Sequence, residues 1–144
     1  MTGRNKTSDF AHRTSQIINE TTDRAFFSTM IKMNTISDAS IATAITRLRA
    51  GELVAFPTET VYGLGADATN ASAVAHIFAV KRRPAFNPLI SHVESPDAAF
   101  EIGMETPIAT SLANAFWPGP LTLILQRKAQ CPIALLATAG LDKI

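Results

Sequence analysis

A chain of 144 residues that is 47% hydrophobic and 17% charged carries enough apolar surface for one packed domain and too much to be disordered throughout. Its formal net charge of +1 exerts no global pull on nucleic acid or an anionic membrane, so an anion site must come from a local cluster of cations. One cysteine, Cys131, excludes an internal disulfide and a multi-cysteine zinc site, and no apolar run approaches the ~18 residues of a membrane-spanning helix, so a soluble, cytoplasmic protein is expected.

Residues 1–32 mix Arg4, Lys6, Arg13, Arg24 and Lys32 with Asp9, Glu20 and Asp23 among many Ser, Thr and Asn. They lack the apolar core of a secretory signal, and the acidic residues weaken a transit-peptide reading. The expectation is a poorly ordered tail with few contacts or, if translation starts at Met33, an upstream extension that is no part of the domain. The domain itself is expected over 33–144. Ser37 can cap a helix whose apolar residues Ile41, Ala44, Ile45 and Leu48 recur at helical spacing, with Gly51 as its stop. Leu53 to Phe56, ended by Pro57, predicts a short strand buried on both faces, followed by a loop from Thr58 to Gly65. Asn70 can cap a second helix from Ala71 to about Arg82, which Pro84 forbids from continuing.

Beyond it, Pro88 to Val93 is expected as a strand, and Ser95-Pro96 and Thr106-Pro107 each pair a capping side chain with a proline suited to a first helical turn. The second of these helices ends near Trp117, Pro118-Gly119-Pro120 reverses the chain, and Leu121 to Gln126 is expected as another strand. Alternating helices and strands predict an α/β layered domain.

Two segments carry chemistry. Pro57-Thr58-Glu59-Thr60-Val61-Tyr62-Gly63-Leu64-Gly65 leaves the end of a buried strand, where ligands sit in α/β sheets. Its hydroxyls can hydrogen-bond an amino acid or nucleotide and its glycines permit close backbone approach, yet an ordinary polar turn has the same composition. Lys81-Arg82-Arg83-Pro84 reads either as charge favourable to a helix C-terminus or as a polyphosphate clamp of one mobile point charge and a planar fork. His92 suits a substrate carboxylate or a structural role equally. No nucleophile motif and no metal-ligand spacing occurs, which leaves positioning and electrostatics to perform any catalysis.

In order and spacing, Phe56 to Gly65, then Lys81-x-Arg83-Pro84-x-x-Asn87-Pro88-Leu89, then His92, then Trp117-Pro118-Gly119-Pro120-Leu121-Thr122 resemble the amino-terminal part of the YrdC-type threonylcarbamoyl-adenylate synthase family. The resemblance runs from about Ser37 to Ile144. It implies a twisted mixed sheet with flanking helices and a basic concave cleft. It implies synthesis of threonylcarbamoyl-AMP from L-threonine, bicarbonate and ATP with pyrophosphate release, for t6A modification of tRNA. Lys81 and Arg83 are then the catalytic cations, with Asn87 joining them on ATP. Thr60 and His92 hold threonine, Thr58 and Tyr62 line the pocket, and Arg82 fills a variable position.

Magnesium is expected on the triphosphate, without a dedicated protein ligand. RNA or tRNA and other proteins of the t6A pathway are the implied partners. The family pattern continues past Gly140-Leu141-Asp142 into an arginine-bearing strand and a Ser-Ala-Asn stretch, neither of which occurs in this sequence. An incomplete sheet and impaired activity are therefore expected. The competing readings are a YrdC-like RNA-binding module and an inactive fragment. The related carbamoyl-adenylate domain of hydrogenase maturation proteins fits less well, because its zinc-finger cysteines are missing here.

Overall fold

Helix α1 (Asp38–Arg49) starts where the sequence places it, at a capping box. The Ser37 hydroxyl accepts from the Ser40 N–H (3.2 Å) while the Ser40 hydroxyl accepts from the Ser37 N–H (2.8 Å), which satisfies two donors that a helix start leaves open. At the other end the Gly51 N–H reaches Leu48 O and the Glu52 N–H reaches Arg47 O, a closure that needs the positive φ of Gly51 (79°). An Arg47–Glu52 ion pair at 2.8 Å lies over the same turn. Of the apolar positions expected to face the sheet, Ala44 is buried and Leu48 packs on the same cluster, while Ile41 and Ile45 stay about two-fifths exposed.

The computed structural model describes residues 37–58 and 61–144 and the backbone of 31–32. Its sheet has three strands, β1 (Ile31–Lys32), β2 (Val54–Phe56) and β3 (Gly63–Gly65), in the order β1-β2-β3. Strand β1 runs parallel to β2 and β3 antiparallel to it, so the sheet is mixed and the α/β class holds. Strand pairing thus reaches the last two residues of the segment read as a tail, and the rest of that segment lies outside the described residues. Part of the expected 58–65 loop is strand as well, because Phe56, Ala55 and Val54 pair in register with Gly63, Leu64 and Gly65.

Helix α2 (Ala71–Lys81) is capped by the Asn70 side chain, whose Oδ1 accepts from the Ser72 and Ala73 N–H groups at 3.1 Å each. It buries Ala73, Val74, Ile77 and Phe78. Helices α3 (Pro96–Ile102) and α4 (Pro107–Phe116) begin at Ser95 and Thr106 with proline in the first turn, as the sequence predicts. Their contact gathers Phe100, Ala109 and Ala113, against which Trp117, Leu123 and Leu125 pack. Trp117 is half-buried and its Nε1 donates to Leu121 O at 2.7 Å, which fastens the turn it anchors.

Two expected strands are not strands. Residues 88–93 and 121–126 alternate half-buried and exposed side chains, as strands do, but a strand also needs a partner along its length. Among the described residues the first segment is joined by Leu89 N–H to Ala137 O, and the second is paired at its end, through bridges Gly103–Arg127 and Gln126–Lys143 and reciprocal Leu125–Ile144 bonds. The described residues fall into two compact units. One holds those up to Asp67 with Ala75–Arg83, and the other holds Ala68–Val74 with Pro84–Ile144.

Candidate functional site: a cation pair at a helix end

Lys81 is the last residue of α2 and Arg83 the second residue beyond it. The helix closes through Arg82 N–H to Ala79 O (3.2 Å) and Arg83 N–H to Phe78 O (3.0 Å). Lys81 is half-buried, and burial, with a smaller contribution from the Arg83 guanidinium, lowers its ammonium below the usual lysine range. Two residues apart in sequence at one helix end, the two cations share one location. An anion there would relieve both the lost hydration and the mutual repulsion.

The Thr58–Gly65 segment belongs to the same unit. Its geometry is set largely from within. The Thr58 hydroxyl donates to Val61 O and accepts from the Val61 N–H (3.2 Å), so this side chain closes a turn. Gly63 and Gly65 have ordinary negative-side backbone angles among the described glycines, and what they accommodate is a ring. A Cβ on Gly63 would lie 2.9 Å from the Phe56 ring, and one on Gly65 would lie 2.8 Å from it. The close approach that the glycines allow is therefore taken by Phe56. Tyr62 is exposed beside them, and Thr60 lies outside the described residues.

Asn87 and His92 belong to the other unit. Asn87 is half-buried and its N–H closes a turn onto Pro84 O (3.1 Å); His92 is exposed on the extended 88–93 segment. Arg127, which sequence reasoning did not single out, donates through Nη2 to Cys131 O and Ile133 O, and its buried Nη1 has no partner among the described residues. A charge at the end of an otherwise apolar alternating run was the available signal. A cavity of about 320 Å³ lies in the same unit, lined by Asp97, Glu101, Glu105 and Lys128 among others. None of the expected site residues lines it, and its carboxylates oppose a phosphate.

Among the described residues no group of three or more His, Cys, Asp or Glu could hold a metal ion, and no helix is long and apolar enough to cross a membrane.

Comparison with known proteins agrees with the ordered motifs. The family model Sua5–YciO–YrdC, described as "Telomere recombination", matches residues 46–144. The threonylcarbamoyl-AMP synthase of Pyrococcus abyssi is 48% identical over 110 residues, covering 76% of this chain and 32% of that protein. The Bacillus subtilis synthase is 46% identical over 109 residues, covering 75% and 31%. Among solved structures, P. abyssi Sua5 complexed with L-threonine superposes with a TM-score of 0.70 at 45% identity over 80% of this chain and 34% of that one. A doubly substituted variant of the same protein gives 0.72 at 44% over 80% and 36%. The chain thus spans about a third of the length of these relatives. With more than half of its residues matched by the family model and its backbone superposing on solved members, the chain belongs to the Sua5–YciO–YrdC family.

Proposed function

We propose that this chain supplies the nucleotide-binding part of a threonylcarbamoyl-AMP synthase, with Lys81 and Arg83 holding the ATP triphosphate. The observation that carries the reading is the placement of half-buried Lys81 with Arg83 at the end of α2, in a chain 48% identical over 110 residues to a synthase of that name. Two charge-assisted hydrogen bonds at about 1.5–3 kcal/mol each match the ~4 kcal/mol of a millimolar nucleotide affinity. Asn87 is assigned to the same nucleotide. Thr60 and His92 are assigned to L-threonine, the ligand that a solved relative carries, and Thr58 and Tyr62 to pocket lining. Magnesium comes with the triphosphate as part of the substrate.

In the reaction the amine of L-threonine takes up bicarbonate with loss of water, and the resulting carbamate attacks the α-phosphorus of ATP. The bond to the bridging oxygen breaks and pyrophosphate leaves. Carbamate and triphosphate are both anionic and repel each other, so Lys81 and Arg83 lower the barrier by offsetting charge as it collects on the departing pyrophosphate. The product serves t6A modification of tRNA, and a cytoplasmic place for the reaction belongs to the same proposal.

The test is pyrophosphate release from Mg·ATP by this chain, run beside the P. abyssi relative. Release that requires both L-threonine and bicarbonate and falls about 10²-fold or more in Arg83→Ala supports the reading. Release indifferent to threonine, or Mg·ATP binding by this chain that Arg83→Ala leaves unchanged, contradicts it. Binding of RNA that weakens steeply with salt, without ATP cleavage, would favour an RNA-binding module instead.

A further inference from the structure

Helices α1 and α2 end in the same way. In each, the residue after the cap donates to the carbonyl three residues back, and the next residue donates to the carbonyl five back. These are Gly51 to Leu48 and Glu52 to Arg47 in α1, and Arg82 to Ala79 and Arg83 to Phe78 in α2. The pattern requires a left-handed residue, for which glycine is the usual choice. Helix α1 uses Gly51 at φ 79°, whereas α2 places Arg82 there at φ 46°. A non-glycine residue held in this region is disfavoured, and such residues gather at binding sites.

We propose that Arg82 is a positioning residue of the cation pair, and that its left-handed backbone, rather than its guanidinium, brings Lys81 and Arg83 together. On a continuing helix, residues two apart point to different faces. The left-handed step at Arg82 ends that progression and turns the chain back, so that the Arg83 N–H bonds Phe78 O at 3.0 Å directly after Lys81 ends the helix. The Arg82 side chain itself is exposed. The inference rests on the triphosphate reading for its function but on the backbone alone for its geometry, so the two can fail separately.

The experiment compares Arg82→Gly and Arg82→Asn, which tolerate the left-handed region, with Arg82→Ala and Arg82→Val, which tolerate it poorly. All four remove the guanidinium. In the 144-residue chain, the Lys81 ammonium is titrated by NMR without nucleotide, and Mg·ATP binding is measured by calorimetry. Circular dichroism confirms folding. The Gly and Asn variants should keep the parent Lys81 titration and a dissociation constant within about threefold of the parent. The Val variant should return the Lys81 titration part of the way to the ordinary lysine value and weaken ATP about tenfold, with Ala in between and standing in for Val if Val does not fold.

Equal weakening of ATP by Gly and Val assigns the role to the guanidinium and overturns the proposal. So does a Lys81 titration that none of the four moves. If the parent binds no ATP, the triphosphate reading is lost, and the Lys81 titration still decides the role of Arg82.

Discussion

Lys81 sets a pH dependence whose sign follows from its burial and from Arg83. Its folded ammonium is depressed, so the folded chain releases this proton at a lower pH than the unfolded chain does. Between those two values the unfolded state binds more protons and stability rises with pH. Below the folded value the penalty of a charged, half-buried Lys81 is present in full. Binding runs the other way. A triphosphate needs the charged form, so Mg·ATP affinity should fall as pH rises through the lowered Lys81 value, earlier than for an ordinary lysine. Lys81→Arg, which does not titrate in this range, should flatten that profile, and affinity measured as a function of pH in both proteins checks it.

The glycines beside Phe56 give a second residue-scale expectation. Gly63→Ala places a methyl within 2.9 Å of the ring and should destabilise the chain by about 1–3 kcal/mol in urea unfolding. Phe56→Leu in the same chain should recover part of that loss, whereas a glycine kept for phosphate contact alone would gain nothing from it.

At the scale of elements, helices were legible because their signals are local. Ser37, Asn70, Ser95 and Thr106 each cap the helix that the sequence predicts there, and each bond lies within three residues of the cap. Ser37→Ala should cost about 1 kcal/mol, read as a fall in thermal midpoint. Strands were less legible because a strand depends on a partner far away in sequence. Alternation in 121–126 correctly tells which side chains face α3 and α4 but says nothing about whether 142–144 pairs with it beyond Leu125. Strand β3 was missed for the converse reason, since Gly-Leu-Gly has no β-propensity and is held by its register with β2. Arg127→Ala should be more costly than Ser37→Ala, by roughly 1.5–3 kcal/mol, because it leaves the Cys131 and Ile133 carbonyls without their donor.

For the molecule as a whole, the order of motifs identified the family where no single motif could. The spacing from Phe56 through Trp117 agrees with a family match over 46–144, although composition alone left the Lys81–Arg83 cluster indistinguishable from a solvated helix end. What the sequence could not convey is the left-handed turn at Arg82, because a positive φ at arginine has no sequence signature. The account therefore depends on the two cations acting together on one anion. Calorimetric titration of the 144-residue chain with Mg·ATP, beside Lys81→Ala, Arg83→Ala and the double variant, tests this most directly. Millimolar or tighter binding by the parent is expected, with each single substitution weakening it about tenfold or more and the double falling short of the sum of the two. Parent binding left unchanged by Arg83→Ala would contradict the account.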